Sequence, residues 1–231
     1  MLASDIMTTN VITVGPQAAV TEIARTLISR NISAVPVVDE NQSVVGIVSE
    51  GDLLRRPENN TDNRRSWWLN IFASEEDEAR SYAKSHGQTA ADVMTDGIIS
   101  VGEDTPVGQI AGILEKKHIK RVPVLRDGKL VGIVSRANLL HGLASAKSSA
   151  TPTPSTDDRS IRQTLIASLE GEGWVSHGAL NVVVTDGVVE LWGWVESDQE
   201  RKSLIIAAKN VEGVKTVEDH LGSVAPWVAG M

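Results

Sequence analysis

Ala3-Ser4-Asp5-Ile6-Met7-Thr8 returns 87 positions later as Ala90-Ala91-Asp92-Val93-Met94-Thr95. The register then holds for some fifty residues, with one deletion near Gly128. Val35-Pro36-Val37 maps onto Val122-Pro123-Val124. Gly46-Ile47-Val48-Ser49 maps onto Gly132-Ile133-Val134-Ser135, and Leu53-Leu54 onto Leu139-Leu140. Identities run through the whole unit, so this is a duplicated module. Each copy reads strand, helix, strand, strand, helix. Val11-Ile12-Thr13-Val14 is a short β-rich run. Val20, Ile23, Ala24, Leu27 and Ile28 recur at helical spacing. Ala34–Val38 and Val44–Val48 are apolar β-branched runs, and Glu50–Arg56 closes the unit as a helix. In the second copy Asp127-Gly128 separates the matching strands, a hairpin signal. One unit is too small to bury both faces well, so two are expected to pack together.

Residues 57–88 form an insert that is longer than most connections. Pro57 to Asn63 is polar and turn-rich, followed by Trp67, Trp68, Leu69, Ile71 and Phe72 and then a helix capped by Ser74. Trp67 and Trp68 either pin the insert onto the module or form a dimer or partner contact, beside Arg64-Arg65. Residues 148–159 are a Ser/Thr/Pro linker. A third unit covers 160–222 in the order α-β-β-α-β, and 223–231 is a tail. Ser160–Glu170 is an amphipathic helix, and Asp186-Gly187 marks a second hairpin. Ser197 caps a second helix running to Asn210, and Val214–His220 is a last strand. Trp192 and Trp194 lie two apart on one strand and share a face. They either cover the two helices as core or form an exposed docking face.

The 231 residues carry 41% hydrophobic and 23% charged side chains, enough for packed cores. There is no cysteine, which excludes a disulfide framework, a thiolate metal site and a cysteine nucleophile. Net charge is −8, and residues 148–231 hold twelve acidic and six basic side chains. Nonspecific nucleic-acid binding is not expected of such a chain, and its C-terminal part should be repelled by an anionic bilayer. No apolar run reaches membrane-spanning length and no signal-like N-terminus is visible, so a cytoplasmic protein is expected. The five histidines show no metal-ligand spacing. No P-loop, dinucleotide fingerprint or nucleophile elbow is present. Neither a catalytic residue nor a metal ligand is nominated, and the chain reads as a non-enzyme.

A ligand site is the sharper reading of the repeat ends. Gly46 lets a neighbour or a ligand approach the backbone closely. Ser49 stands before a helix N-terminus, where free N–H groups suit a phosphate. Asp52 can accept two hydrogen bonds from vicinal ribose hydroxyls. The competing reading makes Ser49 and Ser135 helix caps and Asp52 a first-turn acid.

The repeats resemble a tandem pair of cystathionine-β-synthase-type (CBS) domains, a Bateman module. The carrying residues are Asp5-Ile6-Met7-Thr8, Val35-Pro36-Val37-Val38 and Gly46-Ile47-Val48-Ser49-Glu50-Gly51-Asp52, with their second copies. The resemblance implies an α/β (α+β) fold, with repeats over 1–56 and 89–147. In this family Gly-h-h-Thr/Ser-x-x-Asp (h, apolar) commonly holds the phosphate and ribose of adenosine ligands. That points to Gly46, Ser49 and Asp52 in the first copy and Gly132, Ser135 and Asn138 in the second. A basic residue just before Val-Pro-Val contacts phosphate in the family. Lys120-Arg121 stands there in the second copy, against Ser33-Ala34 in the first. The second site is thus expected to favour phosphorylated adenosine ligands. The first is expected to tolerate adenosine or S-adenosylmethionine, or to stay empty. The alternative for Lys116 to Arg121 is a solvated helix end offsetting its dipole.

The third unit resembles a BON domain. Asp186-Gly187-Val188-Val189-Glu190-Leu191-Trp192-Gly193-Trp194-Val195 and Asn210-Val211-Glu212-Gly213-Val214-Lys215-Thr216-Val217 carry the resemblance. Such modules are associated with phospholipid or other hydrophobic surfaces, often in bacterial envelope proteins; the acidic charge disfavours lipid here. The expectation is a bacterial regulatory protein, homodimeric through its CBS modules. It would bind AMP, ADP, ATP or S-adenosylmethionine and signal to a protein partner through oligomer or BON contacts. The alternative is an adapter with empty CBS sites.

Overall fold

The computed structural model describes residues 1–54, 84, 86–145, 156–175 and 180–223. Trp67 and Trp68 lie outside the described residues. In chain order the elements of the repeats are α1 (Ala3–Ile6), α2 (Val20–Ser29), β1 (Ala34–Val38), β2 (Val44–Ser49), α3 (Glu50–Leu54) and α4 (Ala90–Val93). There follow β3 (Val101–Gly102), α5 (Val107–Lys116), β4 (Arg121–Arg126), β5 (Lys129–Ser135) and α6 (Arg136–Ala144). The third module is α7 (Thr156–Leu169), β6 (Leu180–Thr185), β7 (Val188–Val195), α8 (Asp198–Lys209) and β8 (Thr216–Ser223). The fold is mixed α/β, and the third module has the expected α-β-β-α-β order. Helix α7 begins before residue 160, inside the stretch whose composition reads as linker. Asp157 and Asp158 occupy its first turn, where the helix dipole favours them. Asp158 also accepts the Gly187 amide at 2.7 Å, which fixes the helix start to the β6–β7 turn.

Two compact units result, one of Ile12–Ile98 and one of Met1–Val11 with Ile99–Met231. In the Ile12–Ile98 unit β1 and β2 pair antiparallel, and Val14 bridges in parallel to Val37. Helix α2 lays Val20, Ile23 and Leu27 against Val35, Val37 and Val48. Ala90 and Val93 of α4 complete this core. The other unit repeats the plan: β3 runs parallel to β4, and β4 antiparallel to β5. Its core joins Ile110, Leu114, Val122, Val124 and Val134 to Ala3, Ile6 and Met7 of α1 and its exit.

Each structural module therefore takes its short capping helix from the start of the other sequence repeat. The duplicated motif explains why. The Met94 thioether lies over Gly46, where an added Cβ would stand 2.2 Å from the sulfur and 3.0 Å from Met94 Cβ. Met7 meets Gly132 the same way, at 2.4 Å and 3.2 Å. Behind each methionine a strand residue pairs with the motif's threonine: Thr95 bridges Ile47, and Thr8 bridges Ile133. The motif aspartates fold the helices locally. Asp5 Oδ2 accepts the Leu2 amide at 2.7 Å, and Asp92 Oδ2 accepts the Thr89 amide at 2.9 Å and the Thr89 hydroxyl at 2.8 Å.

In the third module β6, β7 and β8 form one sheet, with β8 parallel to β7. That parallel connection requires the crossover that α8 provides. Val182, Val184, Val189 and Leu191 face Ile161 and Leu165 of α7 and Leu204 and Ala208 of α8. At both hairpins, Asp127-Gly128 and Asp186-Gly187, the two turn residues have positive φ, the geometry that matches strand twist and favours glycine at the second position. Among the described residues no helix is long and apolar enough to cross a membrane.

Candidate functional site

The end of β2 and the first turn of α3 form the first-copy site. Asp52 Oδ2 accepts the Ser49 amide at 2.9 Å and the Ser49 hydroxyl at 2.6 Å. Asp52 thus closes the helix start back onto Ser49. It uses one carboxylate oxygen and leaves the other turned toward a second group. Thr95 Oγ1 lies 3.5 Å from Asp52 Oδ1, and Lys84 Nζ lies 3.4 Å from it. Lys84 also donates to Thr95 Oγ1 at 2.9 Å. Asp52 is half-buried and Thr95 is exposed. The site thus offers a carboxylate, a hydroxyl and a cation at one sheet end. Sequence spacing did not find Lys84, which sits in the insert and has no counterpart in the other copy. Thr95 belongs to the duplicated motif, and its pairing with Ile47, one strand residue from Gly46, brings it to the site.

The second copy has the same frame and a different occupancy. Asn138 Oδ1 accepts the Ser135 amide at 2.8 Å and the Ser135 hydroxyl at 2.6 Å, and Ser135 Oγ in turn caps the Asn138 amide. The Asn138 side-chain NH₂ donates to Ile6 O at 3.0 Å and lies 3.3 Å from Thr8 Oγ1. Asn138 is only 3% exposed. Arg121 pairs in register with Ser135, where the first copy sets Ala34 against Ser49. The structure thus brings the half-buried Arg121 beside Ser135, with Lys120 exposed next to it. Gly46 and Gly132 are explained by their methionine neighbours, and the close approach at both is to protein.

The third module packs on this second site. Asn181 of β6 donates to the same Ile6 carbonyl as Asn138, at 2.7 Å. Arg159 of α7 pairs with the buried Asp5 through Nε at 2.8 Å and Nη2 at 3.3 Å. Arg162 donates to Met7 O and, at 2.9 Å, to Val182 O. Burial pushes its guanidinium down to about 10, against the pull of Asp5, so it remains charged at neutral pH. His141 of α6 stacks on Trp192 at 4.7 Å between ring centres, and Ser145, just past the helix end, donates to Glu190 at 2.8 Å. His220 stacks on the other face of Trp192 at 4.0 Å. Trp192 therefore belongs to a docking face, not to the core beneath the helices. Trp194, 46% exposed, lies over Gly222 on that same outer face.

Glu190, Glu218 and His220 also bring potential ligand atoms within 4.8 Å of one another across β7 and β8. Their proximity arises from strand pairing, which residue spacing does not reveal. Glu190 Oε2 already accepts from Ser145 and from Trp192 Nε1 at 3.2 Å, so this carboxylate is engaged in the contact between modules.

Comparison with known proteins agrees with this architecture. The CBS-domain model matches residues 3–59 and 90–145, and the BON-domain model matches residues 157–222. The chain carries a tandem CBS pair followed by a BON domain. Among curated proteins it is similar to the chloroplastic CBS domain-containing proteins CBSX1 and CBSX2 of Arabidopsis thaliana. It is 33% identical to CBSX1 over 59% of this chain and 28% identical to CBSX2 over 60% of it. The match spans 60% of the length of each of these relatives. Among solved structures, CBSX2 in complex with AMP superposes with a TM-score of 0.56 at 28% identity, covering 64% of this chain and 99% of that one.

Proposed function

We propose that the chain is a non-catalytic regulatory protein whose CBS pair binds an adenosine-containing ligand, with the first-copy site as the primary one. The observation that carries this is the Ser49–Asp52–Thr95–Lys84 group. Its carboxylate can accept ribose hydroxyls, and its ammonium can meet a phosphate. A relative of the same fold, CBSX2, is crystallised with AMP. Lys84 moves the ligand class of the first site toward phosphorylated adenosine, of which AMP is the simplest. S-adenosylmethionine is the competing ligand, since it lacks a phosphate for Lys84. Dimerisation through the CBS modules, a cytoplasmic setting and a bacterial origin belong to the same reading. The response would pass to the BON module or to a partner that it holds. A lipid partner is disfavoured, because part of the outer BON sheet face already lies on the second CBS module and the module is acidic.

Titration calorimetry with AMP, ADP, ATP and S-adenosylmethionine tests the reading. AMP should bind, Asp52→Ala should abolish the heat, and Lys84→Ala should weaken AMP more than S-adenosylmethionine. Absence of binding by every member of the panel would refute it.

A further inference from the structure

The duplication supplies an internal control. The two copies share one frame, so differences in exposure between matched positions report what lies on top. Asp92 is exposed, whereas its counterpart Asp5 is 2% exposed. Thr95 is exposed and Thr8 half-buried; Asp52 is half-buried and Asn138 buried. In each of these three pairs the residue that packs around the second site, Asp5, Thr8 or Asn138, is the more covered. The cover can be named residue by residue: Arg159 on Asp5, Arg162 on Met7 O, Asn181 on Ile6 O and Trp192 on His141. All four come from the BON module.

Resting on the adenosine-site reading above, we propose that the BON module is an intramolecular cap on the second CBS site. The docked chain then presents one open adenosine site, in the first copy. The second becomes available only when the BON sheet lifts away. The Ile6 carbonyl is the pivot, because it receives both Asn138, at the ribose-binding position of the motif, and Asn181 of the cap. To reach Asn138 a ligand has to displace Asn181 and the sheet that carries it. Ligand at the second site and BON docking therefore oppose each other, and by linkage each weakens the other.

The absence of cysteine allows a test independent of any nucleotide. Thr8→Cys and Thr95→Cys, made separately in the full chain, place single thiols at matched positions. Alkylation should be several-fold slower at position 8 than at position 95. Arg159→Ala, or separately Trp192→Ala, should bring the two rates together. Equal rates in the otherwise native chain would overturn the cap. So would slow labelling at position 8 that persists in both undocking variants, since the second copy would then protect itself. Calorimetry with AMP on the cysteine-free native chain and on Arg159→Ala and Trp192→Ala made in it gives the second arm. One ligand per chain, rising to two in the undocking variants, supports the cap; two per chain in the native protein overturns it. No AMP heat in any variant refutes the adenosine reading, while the alkylation rates still decide whether the cap exists.

Discussion

At position 138 the sequence invites a comparison of strengths, in which asparagine is a weaker ribose acceptor than aspartate. The structure replaces that with a question of donors. Both residues accept the preceding serine's amide and hydroxyl through one oxygen. What differs is the second group. In the first copy it meets Lys84 and Thr95, which can donate, so an oxygen serves. In the second it meets the Ile6 carbonyl, which can only accept, so an NH₂ is required. Asn138→Asp should therefore destabilise the Met1–Val11/Ile99–Met231 unit by about 1–3 kcal/mol, because a buried carboxylate oxygen, which cannot donate, then faces the Ile6 carbonyl in place of one of its two donors. Chemical denaturation at neutral pH measures it. A substitution without effect would mean that Ile6 O is satisfied by Asn181 alone. Asp92, at the head of α4, shows the opposite local logic. The Thr89 amide, then the Thr89 hydroxyl and the Gln88 amide, hold its carboxyl below the usual carboxylate range. At this exposed position the charge serves as a helix cap.

The elements that swap between modules are only four residues long, α1 and α4, too short to be stable by propensity. They hold because Met7 and Met94 drop onto glycines of the neighbouring strand. Gly132→Ala should accordingly cost about 1–3 kcal/mol by overpacking against Met7, with Met7→Ala in the same chain relieving part of it. Thermal unfolding of the single and double variants reads the coupling, and strict additivity would deny the contact. Strands, hairpins and the long helices were legible in the sequence, since alternation, Asp-Gly turns and 3.6-residue spacing are local signals. The repeat itself exposed both methionines and both glycines. It could not show that they meet crosswise, because the motif that opens one repeat packs on the strand of the other. For the same reason Ser49 and Asp52 were found, three residues apart, whereas Lys84 and Thr95 were not. The Trp192/Trp194 pair was legible as a shared face, but which side of the sheet it occupies depends on α6, a different module.

For the molecule as a whole, the docking of BON on the second CBS module should depend on pH through His141. Its imidazole is packed against Trp192 and bonded to Asn181 at 3.3 Å. Burial lowers its proton affinity below the ordinary 6.5, outweighing the opposite pulls of the Asn181 contact and Glu190, while His220 adds to the lowering. The groups facing it are thus Asn181, Glu190 and His220 from the BON sheet, with Trp192 between the two histidines. The undocked chain returns His141 to its ordinary value and binds more protons than the docked one. Docking is therefore at full strength above about pH 6.5, and weakens as pH falls through that value toward the depressed one. In the single-cysteine proteins, the alkylation rate at position 8 relative to position 95 cancels the intrinsic pH dependence of the thiol. That ratio should rise as pH falls from 7.5 to 5.5. His141→Gln should flatten the rise, because glutamine keeps a side-chain hydrogen bond to Asn181 without a titrating group. An unchanged slope in that variant would overturn the assignment of the proton to His141.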